Sequence, residues 1–123
     1  MKFYRCKHCG NIIAYVHDSG VRVRCCGEEM QEIIPGEVDA SLEKHVPVVE
    51  RDGNMLTVKV GEVAHPMVDV HYIEWICVHT NKGNQRKLLH PGELPEAKFA
   101  LLEGEEVIEV YAYCNLHGLW RNK

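Results

Sequence analysis

The sequence predicts an all-β protein in two parts: a small metal-stapled domain over residues 1–36 and an antiparallel β-sandwich over residues 37–123. Three observations predict it. Cys6, Cys9, Cys25 and Cys26 form two close pairs in a segment too short to fold on an apolar core alone. Beyond Ile34-Pro35-Gly36-Glu37, short runs of alternating polarity follow one another with Gly-, Pro- and Asn-containing turns between them. No segment carries a convincing helical period.

The first part opens with Cys6-Lys7-His8-Cys9-Gly10, a C-x-x-C knuckle followed by glycine, and Cys25-Cys26-Gly27 comes after a gap of fifteen residues. Two β-like runs, Ile12 to Val16 and Val21 to Arg24, flank a turn at Asp18-Ser19-Gly20. Paired as a hairpin, they would carry the second cysteine pair back to the knuckle. Four thiolates in a tetrahedron suit zinc or iron. Because Cys25 and Cys26 are adjacent, the tetrahedron is expected to be distorted. His8 and His17 are expected at the surface.

The punctuation at Ile34-Pro35-Gly36-Glu37 marks the domain boundary. Leu56, Val58 and Val60 then alternate with Thr57 and Lys59, as a strand with one buried face does. Val68 to Val78 is apolar on both parities in places and predicts a central strand buried on both faces. Ala97 to Leu102 and Val107 to Tyr113 supply further strands. The turns are Asp52-Gly53-Asn54, Asn81-Lys82-Gly83-Asn84, Pro91-Gly92-Glu93 and Glu103-Gly104-Glu105. Regular short strands of this kind read as an immunoglobulin-like sandwich, and 87 residues suffice for seven strands.

Composition narrows the function. A chain of 123 residues with 46% hydrophobic and 26% charged residues is ordinary for a globular protein. No apolar run approaches a membrane span. The N-terminus shows no secretory h-region, so a cytoplasmic location is expected. A formal charge of −4 argues against nucleic-acid or anionic-membrane partners, which call for a basic face. Six cysteines in a reducing compartment point to metal or redox chemistry before disulfides.

Four segments of the second part carry metal-ligand chemistry. His45 lies in Glu43-Lys44-His45-Val46-Pro47 and is expected in a loop or at the start of an edge strand. His65 precedes Pro66, which favours an extended backbone outside a ladder. His71 is expected on a strand, sharing a face with Ile73, Trp75 and Cys77 by parity. Cys114 and His117 stand three apart where the last strand gives way to a turn. Taken singly, each has a bland alternative as a core or turn residue. Gathered at one rim of a sandwich, they make one site of four imidazoles and one thiolate. Cys77 lies six residues from His71, roughly 20 Å along a strand, and is expected to be a separate buried thiol. His79 and His90 border turns and are expected at the surface.

Imidazoles with one thiolate suit iron or another borderline metal. Four rings in a plane with the thiolate below leave one octahedral position open. With iron such a centre is net positive and attracts a small anion, whereas four thiolates make iron net negative. The second centre is then the anion-binding one, and the first a store or relay of electrons.

These motifs together resemble the desulfoferrodoxins, two-iron superoxide reductases. Cys6-x-x-Cys9 and Cys25-Cys26-Gly27 resemble the desulforedoxin-like domain. Glu43-Lys44-His45-Val46-Pro47, His65-Pro66, His71-Tyr72-Ile73-Glu74-Trp75 and Cys114-Asn115-Leu116-His117-Gly118-Leu119-Trp120 resemble the neelaredoxin-type domain. The resemblance implies two iron ions per chain. Cys6, Cys9, Cys25 and Cys26 would hold a rubredoxin-like iron. His45, His65, His71 and His117 would be equatorial ligands of the catalytic iron, with Cys114 axial. Glu43 would take the sixth position in the resting ferric form, and Lys44 would steer superoxide in and stabilise the bound product. It also implies a homodimer supplied with electrons by rubredoxin or a similar carrier.

Two other functions fit parts of the sequence. A non-enzymatic electron carrier would have a closed second centre. A zinc-ribbon interaction module fused to a β-sandwich would use the locally basic set Lys2, Arg5, Lys7, Arg22 and Arg24, although those charges fit an acidic electron donor as well.

Overall fold

A computed structural model describes residues 1–123, which separate into two units, Met1–Ile34 and Pro35–Lys123. In the first, the knuckle is held by its own strand. β1 (Phe3–Arg5) pairs on one side with β2 (Ile12–Ile13) and on the other with β5 (Gln31–Ile33). A second small hairpin joins β3 (Arg24–Cys25) to β4 (Glu28–Glu29). The expected hairpin between Ile12–Val16 and Val21–Arg24 does not form as a ladder. β1 takes the backbone of Ile12 and Ile13, while Val16 and Val21 are exposed. The two runs meet instead through Tyr15, whose Oη accepts the Val23 N–H at 3.0 Å. The buried core here is Tyr4, Cys6 and Met30, with Ile13, Tyr15 and Cys25 packed against it.

In the second unit the alternation at Leu56, Val58 and Val60 becomes a strand with its apolar parity inward. β6 (Pro47–Asp52), β7 (Met55–Val60) and β10 (Glu96–Ala100) form one antiparallel sheet in the order β10-β7-β6. β8 (Ile73–Thr80), β9 (Gly83–Leu88), β11 (Val107–Cys114) and β12 (Gly118–Arg121) form the other, in the order β12-β11-β8-β9. The seven strands make an all-β, immunoglobulin-like sandwich. Between the sheets lie Leu56, Val58, Ile76, Val78, Phe99, Val110 and six further buried side chains, Cys114 among them. The first unit buries far fewer apolar side chains, too few for a segment of its length to fold on without a staple. No helix is long and apolar enough to cross a membrane.

Three expectations change. The run Val68–Val78 is not one strand. Val68 and His71 exchange backbone hydrogen bonds at 3.0 Å each, which occupies the groups a ladder would use, and β8 starts only at Ile73. His71 therefore precedes the strand. The parity argument also fails, because the pairing with β11 slips between Tyr113–Trp75 and Cys114–Ile73. Glu74 is the extra residue of a bulge, so Ile73 joins Ile76 and Val78 in the core, while Trp75 stacks on Tyr113 on the other face. Finally, His45 closes a single helical turn, α1 (Leu42–His45), where a loop or strand start was expected.

Candidate metal centres

The Cys6–Cys9 knuckle is built by backbone turns. Gly10 N–H donates to Cys6 O, and Cys6 N–H donates to Asn11 O, both at 2.9 Å. The adjacent pair reaches the same point because Cys26 adopts a left-handed backbone, φ 52°, followed by Gly27 at φ 82°. The crowding expected of neighbouring ligands thus falls on the backbone, where a non-glycine residue in this region costs about 1 kcal/mol. The four sulfur atoms lie within 4.8 Å of one another and all four thiols are free. Amide N–H groups point at them from Cys9, onto Cys6 Sγ, and from Asn11, onto Cys9 Sγ. The Cys9 amide holds the Cys6 thiol down to about 6, and the neighbouring sulfurs push Cys26 up to about 12. One thiolate forms readily and then opposes the rest, an arrangement that a bound cation resolves.

The second group sits at one end of the sandwich. His45 comes from α1 just before β6, and His65 from the segment just after β7. His71 precedes β8, Cys114 ends β11, and His117 lies in the turn before β12. One sheet thus supplies two of the donors and the other supplies three. Their ligand atoms lie within 4.8 Å of one another.

The rings form a square. Neighbouring centroids are 4.7 Å apart for His45–His65 and His65–His71, 5.0 Å for His71–His117 and 4.9 Å for His45–His117. Each neighbouring pair is steeply inclined, between 78° and 84°. Across the diagonal, His45 and His71 are 6.5 Å apart. Cys114 Sγ, 3.8 Å from His117 Nδ1 and close to all four nitrogens, must then lie to one side of the square.

Protonation shows what the square is built for. His45 Nδ1 is 2.7 Å from Ser41 O, and His65 Nδ1 is 2.7 Å from Pro66 O. Each Nδ1 must carry the proton to donate, so both Nε2 atoms of the neutral rings are bare. Yet these two Nε2 atoms face each other at 3.2 Å, and His45 Nε2 also faces His117 Nδ1 at 3.1 Å. His71 Nε2 is buried with no partner. Burial opposes a second proton: it lowers His45 and His71, and brings His65 to about 4. The bare lone pairs of His45 Nε2 and His65 Nε2 cannot satisfy each other, and a cation between them would satisfy both. Burial raises the Cys114 thiol, while the His117 and Leu116 amides favour its thiolate. The donor set fits a metal with three Nε2, one Nδ1 and one sulfur.

Comparison with known proteins agrees with both groups. Residues 37–123 match the Desulfoferrodoxin family, and residues 1–33 match its N-terminal domain, described as Desulfoferrodoxin, N-terminal domain. The chain belongs to the desulfoferrodoxin family. A desulfoferrodoxin homologue of Archaeoglobus fulgidus is 46% identical, covering 99% of this chain and 96% of its own. The crystal structure of the superoxide reductase from Treponema pallidum superposes with a TM-score of 0.83 at 43% identity, covering 99% and 98% of the two chains. A superoxide reductase of Pyrococcus horikoshii is 34% identical over 66% of this chain and 85% of its own. Desulfoferrodoxins have two iron centres, and the four-thiol and four-imidazole, one-thiol groups correspond to them in number and ligand type.

Around this desulfoferrodoxin site, Glu43 and Lys44 are exposed on α1 beside His45. Lys44 carries positive charge close enough to disfavour protonation of His45 and His71. Glu43 stands outside the five-donor group and is among the residues lining a groove of about 490 Å³, with Val46, Pro47 and Glu62. Cys77 is buried and apart, its thiol pushed up to about 11 by burial. His8, His17 and His90 are exposed, whereas His79 is half-buried within β8, 3.8 Å from Glu109, because the strand runs through it before the turn begins.

One supporting residue had no chemical signal in the sequence. Gly61 packs against the backbone of α1, and a Cβ there would stand 2.6 Å from Glu43 O. The same turn donates Val63 N–H to Glu43 O at 3.0 Å. Only its neighbour in space, not its neighbours in sequence, explains the glycine.

Proposed function

We propose that the chain is a superoxide reductase that converts O2•− with one electron and two protons to H2O2, releasing no oxygen, at the site of His45, His65, His71, His117 and Cys114. The observation that carries this is the square of four imidazoles with the thiolate to one side, a set of five donors that would leave one position of a six-coordinate metal to a small anion. Iron, when bound, supplies a one-electron reductant and a Lewis acid for superoxide. Ser41 and Pro66 carbonyls hold His45 and His65 in the neutral tautomer whose Nε2 lone pairs face the centre. Cys114 would hold the metal as a thiolate and make it more electron-rich. Lys44 raises the local concentration of the anionic substrate. Glu43, exposed beside His45, would be the carboxylate available to the metal from outside the five-donor group. His71 and His117, only partly buried, leave the rim wet, so solvent delivers the two protons.

Cys6, Cys9, Cys25 and Cys26 hold the second iron and relay electrons. The family pattern adds a homodimer, an electron donor of the rubredoxin kind and a cytoplasmic site of action, the last in keeping with six free thiols. The basic set that favoured an interaction module is partly neutralised: Lys7 pairs with Glu28 at 3.1 Å, Arg22 with Asp18 at 2.6 Å and Lys2 with Glu32 at 4.0 Å.

The test is metal content with the visible spectrum, before and after oxidation, for the parent and Cys114→Ser. Two irons per chain and an oxidation-induced thiolate-to-iron band that Cys114→Ser abolishes are expected. Zinc alone, or no Cys114-dependent band, would sink the proposal in favour of a scaffold or carrier.

A further inference from the structure

His45 and His65 are each pinned by a carbonyl at Nδ1. The His71 ring has no such bond, and its Nε2 is buried without a partner. Something else must hold that ring on its corner of the square. Its backbone turns back on Val68, in a segment where Val68 and Val70 are exposed and contribute no apolar anchor.

The other support comes from across the site. Asn115 N–H donates to Tyr72 O at 3.2 Å, and Tyr72 N–H donates to Asn115 Oδ1 at 2.9 Å. Asn115 Nδ2 donates to Val70 O at 3.1 Å. The side chain therefore grips the residue on each side of His71. Asn115 itself is the residue after Cys114 and two before His117. One amide thus ties the segment of one donor to the turn of two others.

We infer that Asn115 is a positioning residue for the His/Cys centre, fixing His71 relative to Cys114 and His117 by bracketing it at Val70 and Tyr72. The inference rests on His71 being a metal ligand, as proposed above. Asparagine is the side chain the geometry demands, because it must accept from one amide and donate to one carbonyl at once. Aspartate keeps the acceptor for Tyr72 but sets a carboxylate oxygen against the Val70 carbonyl. Alanine loses both. The fold supplies its own control. Asn81 makes the same backbone and Oδ1 exchange with Glu106, both bonds at 3.0 Å, away from any donor.

The experiment uses the iron-loaded full chain and follows loss of the Cys114-dependent band on addition of a ferrous chelator to the reduced protein, sampled by reoxidation. Asn115→Ala is expected to speed iron loss about 10- to 100-fold, the usual effect of removing a group that orients a ligand, with Asn115→Asp in between. Asn81→Ala is expected to lower the melting temperature and leave the rate of iron loss unchanged. His71→Ala closes a double-mutant cycle: once His71 is gone, Asn115→Ala should add nothing. Parent-like iron retention in Asn115→Ala, equal losses in Asn115→Ala and Asn81→Ala, or additive effects with His71→Ala would each overturn the inference. If His71→Ala itself retains iron like the parent, the ligand assignment falls first and the role of Asn115 with it. Should Asn115→Ala fail to fold, the comparison of Asn115→Asp with the parent, alone and with His71→Ala, decides the matter.

Discussion

Replacing Gly61 by alanine tests how α1 is seated. The added Cβ would lie 2.6 Å from Glu43 O, 3.0 Å from Lys44 C and 3.0 Å from Val46 O, all backbone atoms that no rotamer change can move aside. Restoring an ordinary contact of 3.4 Å shifts α1 or the turn by about 0.8 Å. Forced rearrangement of packed backbone costs about 1–3 kcal/mol. For a unit of this size each kcal/mol lowers the melting temperature by roughly 4–8 °C, so a loss of at least about 4 °C is expected. The shift also has a chemical readout. α1 ends in His45, whose Nε2 stands 3.1 Å from His117 Nδ1 and 3.2 Å from His65 Nε2. A displacement near a quarter of those distances turns one corner of the square, and the Cys114-dependent band should move or broaden. Differential scanning calorimetry and the oxidised spectrum measure the two effects on one sample. A Gly61→Ala protein that melts within a degree of the parent and keeps its band would refute the idea that this turn seats α1.

Two further outcomes follow from the electrostatics. Lys44→Ala should keep its metal yet react with superoxide up to about tenfold more slowly at low salt, and stopped-flow or pulse-radiolysis rates should converge with the parent near 1 M salt, where the screening length is about 3 Å; equal rates at low salt would remove the steering role. In metal-free protein, His65 is depressed from 6.5 to about 4 by burial, so between those values the unfolded chain takes up a proton that the folded one refuses. Stability should therefore be full above about pH 6.5 and fall as pH drops toward 4, by about 3 kcal/mol for this ring alone, with His45 and His71 adding in the same direction. Urea midpoints at pH 7.5 and 5.5 read the effect before carboxylates titrate, and a midpoint indifferent to pH in that window would show that the rings are not buried neutral.

What the sequence disclosed depended on the kind of signal. Donor chemistry was legible because Cys and His carry it wherever they fall, and all nine predicted donors come together in two groups. Strand polarity at Leu56, Val58 and Val60 was legible because a half-buried ladder has period two. Features set by contacts remote in the chain were not. The Val68–His71 backbone exchange takes His71 off the strand, and the bulge at Glu74 reverses parity within β8; nothing local marks either. α1 is a single turn without a side-chain cap, held by Gly61 and Val63 rather than by helical periodicity. β12 was not anticipated, because four residues are too few to show a period. The Asp18 turn suggested a hairpin, but β1 offered the Ile12 run a better partner.

The square of rings draws its corners from both sheets, His45 and His65 beside one, His71 and His117 beside the other. An ion held there acts as a clasp across the mouth of the sandwich. Parting of the segments at that end, a local opening that need not involve the core around Phe99 and Val110, separates the donors. Binding only to the closed form lowers the population of that opening in proportion to metal occupancy. Amide hydrogens at the rim, such as those of Val46, His65 and Asn115, are bonded within it, and their exchange with solvent should slow when metal is present while the far end of the sheets is indifferent. The reactive ion is thus also the fastener that keeps its own mouth of the sandwich shut.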